Sequence, residues 1–251
     1  MKMTPISKLL TALALGIGAG QAVQGGITEL SIGYDTDYAV NMSVQGFSVF
    51  GYATAFSASR VSGDPLPAGH TDPFITFCLD INRGLANGYW KSGGFSDVGL
   101  TSQSGPTTRQ ANSLFRAANL YRTFGPGANT STIPGKFEGA ALALAIWEVL
   151  YETAGSYNVN SGPGFSVTTG DAAVRTRANV MLATASSVNF SLTTTFWNAT
   201  DALGNTRSSQ DLIGPMVGVP EASTYALAGL LCIPIAANGI RLFRRRSFRA
   251  S

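Results

Sequence analysis

Two short stretches hold the side chains best suited to chemistry. "FCLD", Phe77–Asp80, sets a thiol between an aromatic residue and an acid. "LALAIWEVLYE", residues 142–152, carries Ile146, Trp147, Glu148 and Glu152. At i,i+4 the two carboxyls share one helix face. They could act as paired acids, but a solvent face or a cap on nearby backbone is the plainer use. Cys78 would be nucleophilic only as a thiolate in an electropositive setting. The local sequence offers none, so Cys78 is expected to be a small buried hydrophobe and Trp147 core packing. Asp80 is expected to bond backbone groups near its strand end. His70, the sole histidine, stands in a Pro/Gly loop with Asp64 and Asp72. A Cys–His pair with Cys78 would make a secreted cysteine hydrolase, yet no third orienting group accompanies it. Asp35, Asp37 and Asp64 could gather a calcium ion, but "DTD" lacks the rest of an EF-hand loop, so solvated acids are expected instead. Two cysteines, Cys78 and Cys232, allow neither a disulfide framework nor a cysteine metal site. No glycine loop precedes a helix in the pattern that cradles phosphate. No cofactor and no metal are expected.

The elements that must position these residues can be read from periodicity. "TELSIGY", "FSVFGYATAFSAS" and "PFITFCLDI" have the β-branched and aromatic content of strands. "VSGDPLPAGHTDP" is a loop, and "GYWKSGGFSDVG" a short strand with turns. Helical spacing predicts a helix over Thr108–Phe124, stopped by Gly125-Pro126-Gly127. Phe137–Thr153 is apolar nearly all round, which predicts a buried helix. Asp171–Ser187 opens on an Asp cap and predicts a third. "VNFSLTTTFWNAT" returns to a strand pattern. Strands, then helices, then a strand predict an α+β fold: an antiparallel β-sandwich or barrel with a packed helical subdomain.

The charge is partitioned. Of 17 Lys+Arg, seven lie in the first ten and last eleven residues. Setting these aside with Glu221 leaves 10 basic against 13 acidic residues, a mildly acidic middle. It offers no basic patch for phosphates, which excludes nucleic acid as an expected partner. Lys2 and Lys8, the apolar run Leu9–Ala19 and the small residues Gly20 and Ala22 have the order of a signal peptide. The apolar run 225–240 is 16 residues, short for a span that needs about 20. Flanking arginines can snorkel and hold the cytoplasmic side.

The tail resembles the PEP-CTERM sorting signal of Gram-negative, biofilm-associated bacteria. It matches in Val219, Pro220, Glu221 and Ala222, in the apolar run, and in the basic anchor of Arg241, Arg244, Arg245 and Arg246. The family's motif is usually Pro-Glu-Pro, and Ala222 stands where the second proline would be. The resemblance implies recognition by an exosortase, a membrane-embedded transpeptidase that would cleave near the motif. A plain, uncut tail anchor is the alternative. "FCLD" together with "LAIWEVLYE" resembles the Cys–Gln thioester domains of bacterial adhesins. That family carries its glutamine two residues before the Ala-Ile-Trp run, a position that falls on Ala143. Alanine has no carboxamide, so the resemblance implies the scaffold without the bond. Gln103, Gln110 and Gln210 lack the motif context.

The expected organisation is a signal peptide over 1–25, an exported thioester-domain-like domain over 26–207, a linker over 208–218 and a sorting signal over 219–251. A signal helix and a C-terminal transmembrane helix are expected at the two ends. The expected function is an exported, non-enzymatic cell-surface or extracellular-matrix protein. Its expected partners are an exosortase, the membrane and extracellular polysaccharide or other matrix components. A covalent thioester adhesin and a secreted cysteine hydrolase are the rivals.

Overall fold

The computed structural model describes residues 26–67, 70–81, 83–93, 109–110, 113–185, 194–205 and 209–216. The expected signal peptide, the sorting motif and the apolar run 225–240 lie outside the described residues. Among the described residues no helix is long and apolar enough to cross a membrane.

Among the described residues, nine strands and three α-helices give an α+β fold. Six strands close an antiparallel barrel: β1 (Ile27–Tyr34), β4 (Phe56–Gly63), β5 (Phe74–Cys78), β9 (Leu212–Met216), β8 (Thr194–Thr200) and β6 (Gly88–Gly93), in that spatial order. Each contributes an apolar side chain to one cluster: Leu30, Ala58, Phe74, Leu212, Trp197 with Ala199, and Trp90. Closure leaves the barrel no edge to protect. A separate three-stranded sheet runs β3 (Phe47–Tyr52), β2 (Ala39–Val44), β7 (Phe165–Thr169). The hairpin β2–β3 turns on Gln45 and Gly46, both at positive φ, with Val44 opposite Phe47. Two positive φ values are what a tight two-residue hairpin requires.

The helices are α1 (Ser113–Phe124), α2 (Ile133–Tyr151) and α3 (Ala172–Ala185). The predicted α1 begins five residues later than the sequence pattern implied, and Gly125–Gly127 ends it as a 3-10 turn. The α2 helix starts four residues earlier than predicted because Thr132 caps it. The Thr132 side chain accepts from the Gly135 N–H, and a proline stands in the first turn. Asp171 caps α3 as predicted, its Oδ1 accepting from the N–H groups of Ala173 (2.7 Å) and Val174 (3.2 Å). As its apolar surround predicted, α2 is buried from Gly139 to Tyr151. It joins the helices to the small sheet in the larger hydrophobic cluster.

Three strands escaped the sequence reading. "FSVFGYATAFSAS" is two strands in different sheets, broken at 53–55. The strands β2 and β7 pair with each other across more than 120 residues, and the link is visible only in three dimensions. The linker expected over 208–218 is corrected in its centre. Residues Leu212–Met216 form β9, which pairs with β5 and β8 and closes the barrel. Pro215 has no N–H to give a ladder, so the stretch "LIGPM" carries a weak strand signal of its own.

Gly139 allows α2 to approach the β3–β4 connection. A Cβ there would sit 2.9 Å from the Ala55 Cβ. Gly139→Val should therefore destabilise the fold by about 1–3 kcal/mol through overpacking. Thermal unfolding followed by circular dichroism checks this; an unchanged midpoint would show that the helix can retreat at no cost.

Candidate functional site

The residues singled out around Cys78 and Trp147 do meet. Cys78 ends β5, and the chain then folds through a tight turn in which the thiol lies 3.1 Å from the Asp80 carbonyl oxygen and accepts from the Asp80 N–H (3.3 Å). Two side chains one turn apart on α2 hold this turn. The Trp147 indole N–H donates to the Cys78 carbonyl (3.2 Å). The Tyr151 hydroxyl donates to the Leu79 carbonyl (3.1 Å) and accepts from the Ile81 N–H (3.2 Å). From the other side the Leu79 N–H donates to the Asp211 carbonyl (2.8 Å), and the Asp211 carboxylate pairs with Arg109 at 2.8 Å. Asp80 is fully buried and pairs with Arg83 at 3.0 Å, so a guanidinium, rather than backbone alone, neutralises it. Phe77 is buried edge-on against Tyr121, and Ile146 is buried in the same cluster.

Over this turn lies a cleft of about 240 Å³. Cys78, Trp147 and Met42 line it with Gly51, and Arg83 and Gln210 contribute polar atoms. Tyr34, Phe50 and Tyr52 also line it, and all three are exposed large hydrophobics. Ala143 is buried one helical turn before Trp147 and one after Gly139, on the same side of α2. It presents a methyl group where the resemblance would place a carboxamide. Gln210, set aside in the sequence for want of a motif, lines the same cleft as Cys78. Its carboxamide nitrogen donates to the Arg83 carbonyl, while its buried oxygen meets no hydrogen-bond partner among the described residues. No local signal marks it; it stands two residues before β9, whose place in the barrel brings it there.

The thiol is not poised to react. Burial pushes its pKa well above the ordinary range, and the charge of Asp80 pushes the same way. His70 does not reach it. The His70 ring packs against Phe74 and Trp197, at 5.3 and 5.8 Å between centroids. Phe74 is the first residue of β5 and Cys78 the last, roughly 13 Å apart along an extended strand. The calcium candidates are also separated. Asp35 and Asp37 both bind the Lys136 ammonium, which holds Asp35 below its usual range. Asp64 instead accepts from the Ile27 N–H. Among the described residues no group of acids, histidines or cysteines is arranged to hold a metal.

The carboxyl pair on α2 is buried and serves as a cap, with no solvent face. Glu152 accepts from four backbone N–H groups: Thr153 and Ala154 at 2.7 Å, Phe165 at 3.1 Å and Gly164 at 3.3 Å. Gly162 and Gly164 leave room for it, since a Cβ at either would collide with Glu152 or with the backbone beside it. Glu148 is fully buried and accepts from the Asn158 N–H (2.7 Å) through one oxygen only. Desolvation, aided by the neighbouring Glu152 charge, raises its pKa from 4.5 to about 8. No family model matches the chain, and neither a curated protein nor a solved structure matches it.

Two outcomes follow from this geometry. Cys78 should resist an aqueous thiol reagent in the native protein and label fully once unfolded; rapid native labelling would show that the turn opens. The folded state binds the Glu148 proton more tightly than the unfolded chain, so its contribution to stability is intact below about pH 4.5. It is lost as pH rises toward about 8. Denaturant titrations at pH 5 and pH 9 should differ by on the order of a few kcal/mol from this group. In Glu148→Gln that part of the pH dependence should vanish.

Proposed function

We propose that this chain is an exported, non-enzymatic surface or extracellular-matrix protein, processed by an exosortase at Val219–Ala222. One observation carries the processing: β9 closes the barrel at Met216, and the chain divides into two units between Val217 and Gly218. A cut at the motif would separate the tail and leave every barrel strand in place. The non-enzymatic reading is supported by a thiol held protonated and by a histidine packed at the far end of its strand. The two carboxyls, in turn, are taken up by backbone amides. What the domain offers instead is an aromatic-rimmed cleft. Mass spectrometry of the protein recovered from its native cell should find a C-terminus near Glu221. Retention of Ser251 in surface material would overturn the processing and favour a permanent anchor.

A second reading has one observation in its favour, the shared cleft of Cys78 and Gln210. Attack of the thiol on the Gln210 carboxamide would form a thioester and release ammonia, which Ala143 cannot support. The intact mass decides: a deficit of one ammonia that disappears in both Cys78→Ala and Gln210→Ala would establish the bond. A full mass with an alkylatable thiol in the unfolded protein would exclude it.

A further inference from the structure

The cleft adjoins a strand edge whose outward hydrogen-bonding groups meet no partner among the described residues. In the β2–β3 hairpin the residues flanking the two-residue turn, Val44 and Phe47, exchange backbone hydrogen bonds, and the pattern repeats every second pair. Val49 opposite Met42, and Gly51 opposite Val40, therefore turn their N–H and C=O groups toward β2. Ser48, Phe50 and Tyr52 turn theirs the other way. Among the described residues β3 pairs with β2 alone, at the end of the order β3-β2-β7. The edge carries none of the usual protections: within Phe47–Tyr52 there is no proline, no lysine and no register shift. Phe50 is 62% exposed and Tyr52 37%.

The geometry points to this edge as a docking site for an extended peptide of another protein, added as a fourth strand beside β3 with one apolar side chain lodged in the cleft. Charge complementarity selects the occupant. Alternating N–H and C=O dipoles at two-residue spacing on Ser48, Phe50 and Tyr52 are matched by the backbone of another strand. Hydroxyls of a sugar ring have no such repeat, and an acyl chain has no polar atoms to offer. The cleft supplies the side-chain preference. Gly51 lies on the core-facing side of β3, its missing side chain opening toward the Met42 methyl, 3.6 Å from where a Cβ would be. Trp147 and Cys78 line the cleft with it. Such docking is independent of how the tail is processed.

Two substitutions isolate the parts. Ser48→Pro removes an outward N–H without touching the ladder to β2, a position where an edge strand tolerates proline. Gly51→Val fills the cleft, and the backbone there is not in the left-handed region. The full-length chain, in mild detergent, is panned against a displayed library of random octapeptides, and the enriched peptide is titrated by fluorescence anisotropy. Expected are micromolar binding by a peptide of alternating apolar residues and at least tenfold weakening in Ser48→Pro and in Gly51→Val at unchanged melting temperature. Methylating every second amide of the peptide should abolish binding. Failure to enrich any peptide overturns the assignment, as does binding that survives both Ser48→Pro and amide methylation. Should either variant melt early, the methylated peptide against the native chain decides alone. Cellohexaose serves as the rival probe; if it binds and Gly51→Val blocks it while no peptide does, the cleft is a glycan site and the assignment fails.

Discussion

Everything near the cleft depends on one clamp: Trp147 and Tyr151, a turn apart on α2, hydrogen-bonded to the backbone of residues 78–81. The chain leaves a barrel strand here and must turn within a buried region, where unpaired carbonyls and amides are costly. The two aromatic side chains satisfy three of those groups while supplying the apolar bulk that fills the space between the barrel and the helices. Asp211, just before β9, satisfies a fourth. The turn is thus held from both sides, and its thiol is shut in as a consequence.

The same constraint sorts the acids. Where α2 ends, the chain must descend to β7, and Glu152 gathers four amides of the connection. Glu148, one turn earlier, has a single amide and a fully buried side chain, so the proton is retained to about pH 8. Two carboxyls at i,i+4, alike in sequence, thereby meet different backbone surroundings: four amides at Glu152 and one at Glu148.

Much of the fold was legible where a local rule applied. The Asp171 cap, the all-apolar surround of α2 and the Gly-Pro-Gly stop depend on neighbours within a few residues, and all three appear in the structure. The strand β9 was not legible, because five residues with a glycine and a proline carry little intrinsic strand preference. They become a strand by filling the gap between β5 and β8. The break between β3 and β4 was hidden for a related reason: both halves have strand composition, and only the close approach of Gly139 to Ala55 marks where the chain changes sheets. At the site, Cys78, Trp147 and Glu148 were visible as residue types, but Gln210 and the separation of His70 from Cys78 were not.

Sequence alone determined the α+β class, the three helices among the described residues, the burial of α2 and the partition of charge between the ends and a mildly acidic middle. These follow from periodicity, caps and composition, which act over short distances along the chain. Tertiary structure decided the barrel closure, the open edge of β3, the joining of Gln210 to the cleft of Cys78 and the different fates of Glu148 and Glu152. Each of these rests on contacts between segments far apart in sequence, or on how much water a folded neighbourhood admits, and neither quantity is a property of any local stretch.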